Sequence, residues 1–534
     1  MKLQKRYLKS IAFFYIGLLS SCSNNPSSAS TSKVLQEISI NIAKDPCTLD
    51  SRKARLLNDF NMIRTFNEGL YRLDINGNLI EGVAQKCTLS EDKKTYKIEL
   101  KETLWSNGDA LTAHDFIYSW KSSLDRNFPS PFASLLFCIR NGKAIKDGTL
   151  PASLLGVHAE GDYTLIIELE EQTPFFKELL TLPIFFAVNE SIVRENEDWH
   201  TNVDHYVCNG PFKLSDWQHK NELIAEKNNR YYDAKSVKLQ KITMVMVDAI
   251  TGLHMYQNNE LAWVGSPFSK VANEIVEHSE NFKDLFITPI LFTYFLRANV
   301  TSHPLQDLNL RKSIAVAINR KEIVEYVLNK AGVVATGLVP TSMGLQETPY
   351  FNDGDTELAL DFLSKSCKAL NITKEKLPTL TLIYSGSPDD EVPAVIQDQL
   401  RKYLGLKIKL EALEAKVYLD RMSKGDYDLS FGSWVADFDD PINFLEVFKT
   451  KHVGTNTTNW ESLDYIKAID SSYHCDNTED RLFALKKSEQ ILMDQMPIIP
   501  LYNKSLVHMQ RENLKDVLLT KTGTLDFKWA YISN

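Results

Sequence analysis

The chain is short of the motifs that mark most enzymes. It has no Gly-x-Ser-x-Gly elbow, no Walker loop, no Gly-x-Gly-x-x-Gly fingerprint and no His-Glu-x-x-His pair. Those patterns set a nucleophile, cradle a phosphate or hold a zinc ion, so an exported hydrolase is the weaker reading and no catalytic residue is assigned. Cysteine is scarce, seven in 534 residues with no Cys-x-x-Cys spacing, which speaks against a zinc knuckle. His200 and His205, with Asp204 between them, come nearest to a metal pair. Their spacing does not put two ligands on one helix face, so a solvated loop is expected, with no metal and no cofactor. Positive charge is in the minority, 60 Lys and Arg against 69 Asp and Glu for a net charge of −9. A nucleic-acid partner, which wants a basic face, is not expected.

What is present begins at the first residue. Lys2, Lys5, Arg6 and Lys9 precede a nine-residue apolar run, Ile11–Leu19, too short to span a bilayer. A charged start, a short apolar core and small residues before a cut describe a secretory signal over residues 1–21. Leu19, Ser20, Ser21 and Cys22 resemble the lipobox of bacterial lipoproteins, in which the cysteine is acylated and becomes the new N-terminus. The polar run "SNNPSSASTS" then supplies a flexible tether over residues 22–33. Removing the signal leaves 513 residues and moves the net charge to −13. That length exceeds one core and predicts two or three domains. An exported location permits disulfides, but no pairing among Cys47, Cys87, Cys138, Cys208, Cys367 and Cys475 can be read from the sequence.

Strand and helix signals alternate along the mature chain. "VLQEISINIAKDP" reads as a strand ending at a turn, and Asn76-Gly77 and "SEDKK" mark hairpins. Thr112 and Asp115 have capping-box spacing ahead of a helix with Phe116 and Trp120 on one face. "DYTLIIELE" and "ITMVMVD" read as strands, and a helix follows Asp307. Ile396, Leu400, Tyr403 and Leu404 form a helical stripe that stops at Gly405, after which "LKIKLEAL" alternates as a strand. The fold class is α/β with mixed sheets and more than one lobe.

Five stretches in fixed order carry a resemblance: "LWSNGDALTAHDFIYSWKSSLD" (104–125), "CNGPFKLSDW" (208–217), "EKNNRYYDAKSVKLQKI" (226–242), "LNLRKSIAVAINR" (308–320) and "GDYDLSFGSWVADFDDPINFL" (425–445). Together they resemble the oligopeptide-binding (OppA-like) lipoproteins that serve ABC importers, an extracellular solute-binding family. The resemblance implies a two-lobed fold of the periplasmic-binding-protein type, with a hinge and an extra inserted domain. Lobe I would comprise residues 34–64, 189–288 and 495–534, the inserted domain II residues 65–188, and the opposing lobe III residues 289–494. It further implies a lipid-anchored monomer in the cell envelope, facing the periplasm or the outside, that passes extended peptides to permease subunits in the inner membrane. A murein peptide is the alternative ligand, and an adhesin that has kept the fold is a more distant reading. The family's Asn-Pro-x-Tyr-Trp appears here as Asn228, Asn229, Arg230, Tyr231 and Tyr232, which are expected to be packing positions.

The last of these stretches sets three carboxylates, Asp437, Asp439 and Asp440, just beyond a strand that carries Trp434. Tyr427, Leu429, Phe431 and Val435 alternate on one face, with Trp434 on the other, so the strand end presents an edge on which a second extended chain can pair. A peptide's ammonium must be desolvated there, and a buried cation needs a fixed opposite charge. By the resemblance Asp437 is that partner, Ser433 and Val435 supply main-chain pairing, and Trp434 walls an early side-chain pocket. Asp439 and Asp440 are read as a solvated turn before Pro441, and a calcium loop lacks its Gly and distal Glu. Phe132 corresponds to an aromatic lining the cleft, and Tyr502 lies in the returning C-terminal segment. Some relatives carry an arginine at the position of Phe431, which cannot pair with a ligand carboxylate. Arg421 is then the nearest spare cation, its direction unassigned.

Overall fold

The computed structural model describes residues 34–386, 391–451 and 454–534. The expected signal segment, Cys22 and the expected tether lie outside the described residues. From Gln36 to Asn534 the chain forms one compact unit, and among the described residues no helix is long and apolar enough to cross a membrane.

Its frame is an eleven-stranded mixed sheet. The strands are β1 (Glu37–Ile42), β2 (Phe212–Gln218), β3 (Glu222–Lys227), β4 (Lys241–Met246), β5 (Trp263–Gly265), β6 (Leu285–Ala298), β7 (Gly332–Val334), β8 (Leu380–Ser385), β9 (Ile408–Leu413), β10 (Leu429–Val435) and β11 (Ile498–Gln510). Their spatial order is β2-β3-β4-β1-β5-β11-β6-β10-β8-β9, with β7 paired to β11. Ile38, Ile40 and Ile42 of β1 are buried, as the alternation in "EISINI" requires of a half-buried strand. They join a core with Trp199, Trp217 and Trp263 on one side of the sheet's centre.

A second core gathers the helices α3 (Leu308–Ala317) and α4 (Glu391–Leu404) against β8 and β9. Asp307 caps α3 by accepting the Leu310 N–H at 3.0 Å. α4 ends at Gly405, which sits at φ +67, a left-handed turn that glycine enters without steric penalty. β8, α4 and β9 form a parallel βαβ unit.

Residues 70–187 build a smaller four-stranded sheet and α2 (Ala113–Ser123). The helix begins where Asp115 accepts the Thr112 N–H at 2.8 Å. The apolar side chains of this section run into one continuous core with Phe438, Phe444 and Trp460 of the 289–494 section. Phe175 stacks on Phe438 with ring centroids 4.8 Å apart.

β6 and β11, at 14 and 13 residues, are the long strands that join the two halves of the sheet. Their pairing slips: from Pro289 to Thr293 β6 advances four residues while β11 advances two, from Ser505 to Asn503. A bulge of this kind bends the strand that carries the extra residues. The 288/289 boundary falls inside β6, and 494/495 falls at the end of α5 (Thr478–Gln495).

Candidate functional site

β10 is paired with β6 along its whole length, Val435 opposite Phe292 and Leu429 opposite Ala298. On its other flank β8 reaches only Leu429, Ser430 and Phe431. The strand is therefore interior at its start, and among the described residues it is open on one flank from Gly432 to Val435. Gly432 permits a close approach: a Cβ there would lie 2.2 Å from Nη1 of Arg297.

Phe431, Ser433 and Val435 share a face with Leu296, Tyr294 and Phe292, which lie directly across. The Tyr294 ring stacks with Phe431 at 5.4 Å, with Phe292 at 5.0 Å and with Tyr502 of β11 at 4.8 Å. Phe431 and Tyr502 thus belong to one aromatic ladder that runs toward the end of β10. Trp434 points to the opposite face, packs against the core shared with residues 70–187, and donates its indole N–H to Oδ1 of Asn443 at 3.0 Å.

Past Val435 the chain leaves the sheet under restraint. The Ala436 N–H donates to the Leu291 carbonyl in the β6 bulge at 2.8 Å. The Asp437 N–H donates to the same Asn443 Oδ1 at 3.3 Å. Trp434 and Asp437 are therefore both held to Asn443, a residue to which the sequence reading gave no role.

Val435 and Asp437 open onto a cavity of about 130 Å³. Its far wall is α1 (Leu57–Phe66), which contributes Phe60, Asn61 and Arg64. Asn61 fixes the C-terminal turn beneath, donating to the Gly523 carbonyl at 3.0 Å and accepting the Leu525 N–H at 2.9 Å. Phe132 lines the same cavity, edge-on to Phe60 at 5.2 Å, and Leu135, Leu182 and Ile184 complete an apolar wall. Those walls set the electrostatics. Burial pushes the Asp437 carboxyl up to about 6, against the opposing hydrogen bond from Asn443. Among the described residues no cation lies within 4.0 Å of it.

The three carboxylates have three fates. Asp437 faces the cavity and Asp439 is exposed. Asp440 is not the solvated turn residue expected: it forms a two-pronged pair with Arg481 of α5, at 2.7 and 2.9 Å, with both side chains largely buried. It also caps the next turn by accepting the Ile442 N–H at 2.9 Å.

Arg421, unassigned from sequence, is held by Glu411 and Asp426. His200 and His205 go to separate partners, Thr48 Oγ1 at 3.1 Å and Asp198 Oδ1 at 2.9 Å. Tyr231 and Tyr232 do more than pack, since both hydroxyls donate to the buried carboxylate of Glu68. The six described cysteines are unbridged. Two cations of the cavity, Arg55 and Arg64, went unnoticed in the sequence because nothing local distinguishes them.

Comparison with known proteins agrees with this architecture. The model of the bacterial extracellular solute-binding proteins, family 5 (middle region), matches residues 78–456. The oligopeptide-binding protein OppA of Bacillus subtilis is 34% identical over 545 residues, covering 99% of this chain and all of that protein. Among solved structures, the unliganded open form of the periplasmic murein tripeptide-binding protein MppA superposes with a TM-score of 0.80 at 26% identity, over 94% of this chain and 98% of that one. Peptide-bound OppA of Listeria monocytogenes gives 0.73 at 29% identity, over 94% and 100%.

Proposed function

The chain belongs to the bacterial extracellular solute-binding proteins of family 5, and from that premise we propose that it captures extended peptides beside Asp437 and delivers them to an ABC-transporter permease. One observation carries the reading. A buried carboxylate among largely apolar walls, with no cation of the described residues within 4.0 Å, is destabilised until a positive group arrives. The ammonium of a peptide's free end supplies that group, and the open flank of Gly432–Val435 offers main-chain hydrogen bonds that ignore side-chain identity.

The cavity of about 130 Å³ is below the ~300–1,000 Å³ of ordinary ligand sites. We place the hinge in β6 and β11, about which lobe I (34–64, 189–288, 495–534) and lobe III (289–494) move to admit a ligand and close on it, with domain II (65–188) beside the cleft. Ser433 and Val435 pair with the ligand backbone, while Phe132, Phe431 and Tyr502 supply aromatic surface. Trp434 acts from behind, through Asn443. The protein holds its ligand without cleaving it. It works as a monomer attached to the membrane through an acylated Cys22, so a Cys22→Ala chain that still carried lipid would overturn the anchor. A murein peptide is the second reading, favoured by the likeness to MppA, and its terminal alanine amine meets Asp437 equally well.

Calorimetry on a two-by-two set tests the site. Removing one side of a buried charge pair costs roughly 3–5 kcal/mol, so Asp437→Ala weakens a free peptide by at least ~100-fold. N-acetylating the peptide does similar damage to the wild type, and the Ala variant no longer distinguishes the two ligands. Equal wild-type affinity for acetylated and free peptide refutes the assignment.

A further inference from the structure

Three charged side chains line the cavity, Asp437, Arg55 and Arg64, and none lies within ion-pair distance of another. Arg64 sits in the last turn of α1, where the helix dipole favours a cation. Its guanidinium donates to the Thr181 carbonyl, and among the described residues no carboxylate lies within 4.0 Å of it. Burial lowers its pKa to about 10, with Asp526 only partly offsetting that. Asp526 is itself committed, 2.5 Å from Nη2 of Arg72. Arg55, just before α1, is exposed and has no partner among the described residues. Two guanidiniums thus bracket the first turns of the helix on the wall facing the lone carboxylate, and the neutral part of the wall is mostly apolar, with Asn61, Thr522 and Thr524 its polar members.

We propose that Arg55 and Arg64 form a carboxylate subsite beside the ammonium subsite of Asp437, so that the protein prefers ligands carrying an acid on the residue next to the free amine. The inference rests on the reading that Asp437 holds the ammonium. Its reasoning is complementarity: a cavity with one unpaired anion and two unpaired cations is met on both sides by a ligand that brings both signs. The spacing follows from position. Arg55 and Arg64 line the same cavity as Asp437, and an extended chain rises only ~3.3 Å per residue, so the acid they meet lies close to the amine. Guanidinium suits the task because its planar fork meets a carboxylate with two parallel hydrogen bonds. Two ligand chemistries present this pattern. One is an α-linked peptide with Asp or Glu second. The other is a cell-wall peptide in which γ-linked D-glutamate follows the terminal alanine and leaves its α-carboxylate free.

Calorimetry on the full chain with matched acid and amide ligands decides it. The pairs are Ala-Glu-Ala with Ala-Gln-Ala, and L-Ala-γ-D-Glu-L-Lys with its α-amide. The wild type is expected to bind the acid of at least one pair about tenfold more tightly than the amide, and the pair that shows the preference identifies the source. Arg55→Gln should collapse that ratio toward one. Arg55 is exposed, so this variant folds whatever becomes of Arg64→Gln. Equal wild-type affinity for acid and amide in both pairs overturns the inference and leaves Asp437's role standing. A ratio that survives Arg55→Gln and Arg64→Gln overturns the assignment to these residues. Failure of the wild type to bind any of the four overturns the inference together with the peptide reading.

Discussion

Two groups of charge flank α1, and they are built on opposite principles. In one, Arg72 lies 2.5 Å from both Glu68 and Asp526 and 2.9 Å from the Tyr231 hydroxyl, and Glu68 also takes the Tyr232 hydroxyl at 2.7 Å. Burial works against the charge on Arg72, but Glu68, Tyr231 and Asp526 more than offset it and hold the pKa above its ordinary value. Close by, Lys528 meets Asp233 at 2.9 Å. In the other group, around the cavity, Asp437, Arg55 and Arg64 have no opposite charge within 4.0 Å among the described residues. A charge that folding has already neutralised holds elements together, here the C-terminal tail against the segment from Glu68 to Arg72. A buried charge that folding leaves unneutralised stays costly until an opposite charge meets it.

The sharpest way to break the comparison is at Arg72. Arg72→Met leaves Glu68 and Asp526 as buried acids without their shared cation and should lower stability by roughly 3–5 kcal/mol, read from chemical denaturation. If that variant unfolds at the wild-type denaturant concentration, the network is not structural.

The cavity carboxylate is probed by pH. With a folded pKa of about 6 against an ordinary 3.8, the empty folded protein holds this proton more tightly than the unfolded chain does. The group is therefore neutral to stability below pH 3.8 and increasingly destabilising as pH rises toward 6. An ammonium ligand prefers the ionised form, so binding is nearly full at pH 7 and falls about tenfold by pH 5. Asp437→Asn should flatten that profile and raise the stability of the empty protein at pH 7. A wild-type affinity independent of pH across this interval would show the carboxyl does not face the ligand.

The smallest effect belongs to Arg421, which is paired with Glu411 and Asp426 near the surface. Arg421→Gln should change stability by less than ~1 kcal/mol and leave the ranking of peptides by length untouched. A changed ranking would return this residue to the site.

Local signals were legible in the sequence. The Thr112–Asp115 start of α2, the Asp307 cap of α3 and the Gly405 stop of α4 are each decided within a few residues, and all three appear as read. Asp437 was legible as a candidate because strand, aromatic and acid are neighbours in the chain. Its surroundings were not. Arg55 and Arg64 reach the cavity only because α1 packs against a turn hundreds of residues downstream. Asp440 looked solvated because Arg481, on a separate helix, gives no sign of facing it. The hydroxyl of Tyr232 looked like packing because Glu68 is 164 positions away. Asn443 stood six residues from Asp437 and could have been suspected as the cap of the acidic turn.

The slip between β6 and β11 gives Leu291 two commitments. Its N–H donates to the Lys521 carbonyl at 2.7 Å, and its carbonyl accepts the Ala436 N–H. One residue on a crossing strand is thus clipped to the C-terminal turn on one side and to the neighbour of Asp437 on the other. Straightening that strand cannot leave the carboxylate where it was. Any movement that parts the halves of the sheet at this slip would therefore also shift the backbone beside Asp437.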